Sequence, residues 1–267
     1  MNKLKIGVLD SGIGGLTVLH EMLKVLPEED YIFYADTQHV PYGEKPKDEV
    51  RQYIFEAVDY LAAQDIKALV IACNTATSIA VNDLRQAYDF PILGIEPAVK
   101  PAVQNSMIKR KKVLVFATTL TLQEEKFQNL VRSIDTADIV ESLALPGLVQ
   151  LAEKRQFAEE EVQSYLEQAL SGLDPNQYGT IVLGCTHFPY FREHLHHFFP
   201  EEVDIIDGGE GTARNLYRIL QQHSSIGEGT GKIMYVESGK VIHEAEQLEA
   251  YHQLLFRLSS PSPFRSS

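Results

Sequence analysis

The sequence predicts an α/β protein of two similar lobes, each a mostly parallel sheet flanked by helices, related by a pseudo-two-fold axis, with the active site in the cleft between them. Three observations predict it. Strand-sized apolar runs alternate with helix-length amphipathic stretches along most of the 267 residues. The run Lys5-Ile6-Gly7-Val8-Leu9 returns as Lys112-Val113-Leu114-Val115-Phe116, 107 positions on (112 − 5), and the only two cysteines, Cys73 and Cys185, stand 112 apart (185 − 73). A nearly constant shift marks a duplicated unit. Each cysteine also closes an apolar strand just ahead of a polar, cap-rich turn: Ala72-Cys73-Asn74-Thr75 and Gly184-Cys185-Thr186-His187. The expected division is 1–96 plus 208–267 for a discontinuous first lobe and 97–207 for the second.

The elements follow in order. Residues 4–9 read as a buried strand ending at Asp10-Ser11-Gly12-Ile13-Gly14-Gly15. The next helix sets Leu16, Leu19, Leu23 and Leu26 on one face and stops at Pro27. A strand at 31–34 leads into a long polar loop, 35–47, containing Pro41-Tyr42-Gly43. A helix at 48–63 repeats Val50, Ile54, Val58 and Leu61 at helical spacing. Strand 68–72 delivers Cys73, a helix runs from 75 to 88, and a short strand covers 91–95. Glu96-Pro97 ends this series, because a residue before proline disfavours helix.

The second series begins after the basic cluster 109–112. It reads as strand 113–116, helix 123–134, strand 139–143, helices 147–154 and 159–170, strand 180–183 to Cys185, a helix from about 190, and strand 203–206. Glu159-Glu160-Glu161 suits a solvated first helical turn, where carboxylates complement the dipole. Beyond Asp207-Gly208-Gly209 come a helix at 212–222, a Gly/Ser-rich loop at 224–231, a strand at 233–236 and a helix at 244–258. This tail is too short for a third domain and is expected to return over the first lobe, with 259–267 as a frayed end.

Composition excludes several classes. A hydrophobic share of 44% with 23% charged residues is that of an ordinary globular chain, and a net charge of −13 argues against a bulk phosphate-binding surface. No nucleic-acid partner is expected. The apolar runs are strand-sized, so neither a membrane span nor a signal peptide is read, and the expected compartment is the cytoplasm. In that reducing setting two widely spaced cysteines read as thiols, and they are too few for a structural zinc site.

A lone free cysteine is most often a core residue. Three features favour chemistry here. Both cysteines sit at carboxyl ends of strands, where α/β folds bind ligands. Each precedes helix-start N–H groups, which lower a thiol's pKa. Set in matching places of two lobes, they would face each other across the cleft as one base and one acid, the geometry that inversion at a stereocentre requires. His187 reads either as a turn histidine or as a group that steers the proton on Cys185, and it would equally support a Cys–His nucleophile. Asp10 and Ser11 read as a tight turn or as contacts to a substrate ammonium; the glycines beside them fit neither a P-loop nor the dinucleotide fingerprint. Thr118 and Thr121 bind a carboxylate or cap the next helix, and Tyr42-Gly43 forms an anion contact or a plain turn. Glu153, near a predicted helix end, reads as a third possible acid or, taken alone, as a surface residue.

Together Asp10-Ser11-Gly12-Ile13-Gly14-Gly15, Pro41-Tyr42-Gly43, Ala72-Cys73-Asn74-Thr75 and Gly184-Cys185-Thr186-His187-Phe188-Pro189 resemble the glutamate racemase family, in its order and over essentially the whole chain. The resemblance implies a cofactor-independent two-base proton transfer between L- and D-glutamate. Cys73 would deprotonate the D isomer and Cys185 the L isomer, assisted by Asp10 and His187. Substrate contacts would come from Asp10, Ser11, Tyr42, Gly43, Asn74, Thr75, Thr118, Thr121, Thr186 and His187, with no metal. The implied setting is peptidoglycan synthesis in a bacterial cytoplasm, by a homodimer. Ala117 departs from a glycine common in the family, which leaves the share of Thr118 and Thr121 open. The chain also lacks the N-terminal extension of members activated by a cell-wall precursor, so no such activation is expected. Rival readings are an aspartate-type racemase, a one-cysteine decarboxylase, a cysteine hydrolase and a non-catalytic amino-acid-binding protein. The decarboxylase and the hydrolase would leave one thiol without a role.

Overall fold

The computed structural model describes residues 4–227 and 229–259. Strand β1 (Lys5–Asp10) is followed by a 3-10 turn and helix α1 (Leu16–Val25), then β2 (Tyr31–Ala35), α2 (Lys47–Ala62), β3 (Ile66–Ile71), α3 (Asn74–Ala87) and β4 (Ile92–Gly94). The second series is α4 (Val99–Lys109), β5 (Lys112–Ala117), α5 (Thr119–Gln123), α6 (Glu125–Ile134), β6 (Val140–Ala144), α7 (Pro146–Glu153), α8 (Glu159–Ala169), β7 (Tyr178–Leu183), α9 (Arg192–His196) and β8 (Asp204–Asp207). The tail adds α10 (Gly209–Gln222), β9 (Ile233–Glu237), β10 (Lys240–Val241) and α11 (Ala245–Ser259).

Two sheets result, in the orders β10-β9-β2-β1-β3-β4 and β6-β5-β7-β8. Every pairing is parallel except β9 with β10. Parallel strands covered by helices on both faces are buried throughout, which is why β1, β3, β5 and β7 read as continuous apolar runs. The duplication extends to an irregularity. The β1–β3 register slips between Lys5 and Ile6, and the β5–β7 register slips between Lys112 and Val113. Those are the positions that the sequence repeat superimposes.

Each sheet has an outer apolar cluster of its own, with Leu9, Ile54 and Leu69 in one and Val103, Val113 and Phe127 in the other. A third cluster runs through both units, joining Val8, Leu16 and Leu19 to Leu148, Phe188 and Tyr190. Full burial of such side chains contributes about 1.5–3 kcal/mol each, so the shared cluster holds the two sheets in one arrangement around the site. In the tail, β9 extends the first sheet beside β2, and α10 and α11 pack on α1.

Several expectations change. Helix α4 occupies a stretch read only as a boundary. Its buried face is Val99, Ala102, Val103 and Ser106, too small and mixed to stand out, and Pro101 fits because it lies in the first turn. The helix expected at 123–134 is two helices broken at Glu124, whose backbone is extended. That break lets Glu124 take Lys47 Nζ at 2.6 Å. The helix expected from about 190 begins as a 3-10 turn, Phe188–Phe191, and β10 was not expected. Of the proposed frayed end, all but Ser259 lies outside the described residues. Among the described residues no helix is long and apolar enough to cross a membrane.

Candidate active site

Strands β1, β3, β5 and β7 run parallel within their sheets, and their carboxyl ends supply the residues singled out in the sequence. Ser11, Cys73, Asn74, Thr75, Thr118, Cys185, Thr186 and His187 line one cavity, which Pro41, Tyr42, Gly43 and Val149 complete. Both thiols are only 6% exposed. Two expected site residues stand behind the lining. Asp10 is fully buried beneath Ser11, and Thr121 is fully buried behind Thr118. The closed cavity leaves about 10 Å3 free, room for about one water molecule.

Cys73 caps α3, and its sulfur accepts the Ala76 N–H at 3.4 Å. Its thiol lies 3.9 Å from the Ser11 hydroxyl. Asp10 takes the Gly12 N–H on Oδ1 at 2.9 Å and the Thr186 hydroxyl on Oδ2 at 3.0 Å, so it ties the first lobe's turn to the second lobe's. The helix start was expected to lower the Cys73 pKa. Instead burial, reinforced by the Asp10 carboxylate, pushes it well above the usual thiol range. The single N–H contact is a smaller effect of opposite sign. Asp10 is itself pushed up by burial, against the pull of His187 and its two hydrogen bonds.

Cys185 has different company. Its sulfur is 3.6 Å from His187 Nδ1, and His187 Nε2 is 2.6 Å from Glu153 Oε1. Burial alone would lower the imidazole pKa. The contacts with Cys185 and Glu153 outweigh it and hold His187 well above its usual value. The imidazolium then sits beside the sulfur. Glu153 Oε1 also accepts the Ile13 N–H at 2.9 Å, so this carboxylate joins both lobes and is no isolated surface group. One signal in the sequence points to it: Glu153 lies four residues after Val149, hence on the same helix face as a cavity-lining residue. The glycines of the first turn have a related cause. A Cβ on Gly12 would lie 1.9 Å from Glu153 Oε1, and one on Gly14 would lie 2.5 Å from His187 Nδ1.

Three hydroxyls converge from both lobes. Thr75 Oγ1 is 3.0 Å from those of Thr118 and Thr121, and Thr118 donates to Thr121 at 2.9 Å. Thr118 also caps α5, accepting the Thr121 N–H at 3.2 Å, so the capping reading holds while the residue also lines the cavity. Asn74 is different. Its amide nitrogen and oxygen are buried without partners, at a cost of about 1–3 kcal/mol for each group. An unpartnered amide in a cavity wall is what a ligand-binding group looks like before the ligand is bound. Among the described residues no group of three or more His, Cys, Asp or Glu is placed to hold a metal ion. A wider groove of about 590 Å3 beside Met107, Arg110 and Lys111 lies toward the amino-terminal ends of β5 and β7, away from both thiols.

Residues 6–216 match the family described as Asp/Glu/Hydantoin racemase. The chain is 57% identical over 251 residues to "Glutamate racemase 2" of Bacillus subtilis (strain 168), covering 94% of this chain and 95% of that protein. It is 54% identical over 254 residues to the glutamate racemase of Halothermothrix orenii, covering 94% and 99%. Among solved structures, the glutamate racemase of Thermus thermophilus in complex with β-chloro-D-alanine aligns with a TM-score of 0.76 at 32% identity, over 97% of this chain and 94% of that one.

Proposed function

We propose a reaction from a plain premise: the chain belongs to the Asp/Glu/Hydantoin racemase family, on its glutamate racemase branch, and is an amino-acid racemase. The proposed substrate is glutamate, and the proposed chemistry is a cofactor-independent transfer of the Cα proton between two thiols. The observation that carries it is the meeting of Cys73 and Cys185, from matching strand ends of a duplicated unit, in the wall of one cavity.

For L-glutamate, the Cys185 thiolate accepts the α-proton and the electron pair remains on Cα. The Cys73 thiol then donates its proton to the opposite face, giving D-glutamate, a Cys73 thiolate and a Cys185 thiol. D-glutamate runs the same steps in reverse. The resting proton arrangement supports this order: Cys73 is kept as a thiol by burial, and the imidazolium of His187 stands against Cys185. Asp10 and His187 act through the thiols they neighbour.

The α-proton is far less acidic than a thiol, so the charge that develops toward the α-carboxylate needs fixed donors in a site without water. The Asn74 amide and the hydroxyls of Ser11, Thr75, Thr118 and Thr186 fit that need, with Thr121 supporting the cluster from behind. One donor of this kind is worth about 3 kcal/mol in rate. Because the closed cavity holds about one water, entry of glutamate requires the lobes, taken as 1–96 with 208–267 and 97–207, to part and then close. Working in a bacterial cytoplasm, as a homodimer, such an enzyme would supply D-glutamate for peptidoglycan.

The test is incubation with L-glutamate in D2O without added cofactor, following circular dichroism and deuterium at Cα. Loss of optical rotation with deuterium appearing in the product is expected. Unchanged rotation with no exchange would sink the reading.

A further inference from the structure

Three buried carboxylates, Glu29, Asp36 and Glu124, have no part in the mechanism, and of these Asp36 holds a residue of the cavity wall. Asp36 follows β2 directly and is 3% exposed. The Tyr42 hydroxyl donates to its Oδ2 at 2.6 Å. His39 Nδ1 lies 2.9 Å from both carboxylate oxygens, with its ring stacked on Tyr53 of α2 at 3.7 Å between centroids. From the far end of the chain, the Ser238 hydroxyl donates to Asp36 Oδ1 at 2.9 Å. Ser238 stands in the β9–β10 turn with φ +43° and also accepts the Gln38 N–H at 3.0 Å. The end of β2, the loop after it, α2 and the tail hairpin thus converge on one carboxylate that does not line the cavity.

What this carboxylate holds is the cavity wall. Tyr42 is 1% exposed, and its hydroxyl proton is committed to Asp36. Burial and the Asp36 carboxylate keep that phenol protonated, hence a permanent donor. Tyr42 and Gly43 therefore present ring and backbone to the cavity from a loop whose anchor is Asp36.

We propose that Asp36 is a positioning residue for racemisation: it fixes the Tyr42-Gly43 wall against the substrate, and the tail hairpin, through Ser238, helps to fix Asp36. This rests on the reading of Tyr42-Gly43 as part of the glutamate site. Since Asp36 touches neither thiol in that arrangement, its loss weakens binding of substrate and transition state alike, raising KM more than it lowers kcat.

The experiment compares kcat, KM and thermal midpoint for Asp36→Asn, Tyr42→Phe, their double variant, Ser238→Ala and Gly43→Ala, with both enantiomers of glutamate. Losing a hydrogen bond to a buried charged acceptor predicts a KM about tenfold higher in Asp36→Asn and in Tyr42→Phe, with a smaller change in kcat. The double variant should be no worse than the poorer single, because both remove one interaction. Ser238→Ala should raise KM only about two- to threefold, because Tyr42 keeps its own bond to Asp36 and His39 still braces the carboxylate. Gly43→Ala tests the premise separately, since its Cβ would lie 2.5 Å from the Thr118 Cβ and must push the two facing walls of the cavity apart. If Gly43→Ala raises KM but Asp36→Asn and Tyr42→Phe do not, or if those two multiply in the double variant, the positioning role is wrong. A silent Gly43→Ala would remove the loop from the substrate site, and the positioning role would fall with it. Should Asp36→Asn fail to fold, Tyr42→Phe and Ser238→Ala decide the question.

Discussion

Around Cys73 the immediate partners are a backbone N–H and the Ser11 hydroxyl, with the buried Asp10 carboxylate behind them. Around Cys185 the partners form a titratable chain, from His187 to Glu153. Both sulfurs arrive on equivalent strands of a repeated unit and are equally exposed. The duplicated backbone sets where a thiol goes, and the side chains added to each copy set what stands beside it. A two-base inversion must start from one thiol and one thiolate, so the surroundings of the two sulfurs have reason to differ.

The largest test removes each sulfur in turn. Cys73→Ala and Cys185→Ala should each lower racemisation by about a thousandfold or more, the upper range for general acid–base groups, with fold and glutamate binding retained. Wild-type turnover in either variant would break the comparison at its root. The two enantiomers have equal free energy in water, so kcat/KM must fall equally in both directions. Any difference between the two ends must be read in kcat alone, or in isotope effects with L- and D-glutamate deuterated at Cα.

Asp10→Asn sharpens the Cys73 side. Asp10 is pushed above its usual pKa by burial, so its stabilising contribution is complete at acid pH and is lost as pH rises through the folded value. At neutral pH, where the unfolded chain carries this group ionised, the buried carboxyl therefore costs stability. Asparagine preserves the shape without the charge. The variant should melt at a higher temperature than the parent at pH 7 while kcat falls by about a hundredfold, within the range for a group assisting proton transfer. A lower melting temperature would show that the Gly12 and Thr186 contacts outweigh the burial of charge.

Glu153→Gln sharpens the other side and is the smaller effect. His187 is held above its usual value, so its charged form persists at neutral pH and is lost as pH rises through the raised value. Removing Glu153 takes away one of the two contacts that hold it there. The alkaline limb of the kcat profile should move to lower pH, with a loss of about tenfold at pH 8, a charged hydrogen bond's worth. An unmoved limb would assign His187's proton to Cys185 alone.

Much of this was legible before any coordinates. The parallel strands, the repeat and the carboxyl-end placement of Asp10, Cys73, Thr118 and Cys185 follow from apolar runs that stop at polar, cap-rich turns. Helix α4 was not legible, because a face of Val99, Ala102 and Val103 carries little contrast with its surroundings. Asp36 was missed, and Glu153 was left as an acid without a partner, for another reason. Each is defined by partners distant in the chain: Ile13 lies 140 residues from Glu153, and Ser238 lies 202 from Asp36. Their local surroundings, a helix end and a polar loop, do not name those partners.

The sequence by itself determined the order of elements, the duplication, and which residues stand at the strand ends, because each depends on patterns a few residues long. Only the tertiary structure decided the proton states. Read locally, Cys73 has helix-start N–H groups beside it and should favour thiolate. In the folded chain it is buried with Asp10, brought from the neighbouring strand, and the thiol is favoured. Loss of water around a group depends on everything packed against it, and no short window of sequence contains that.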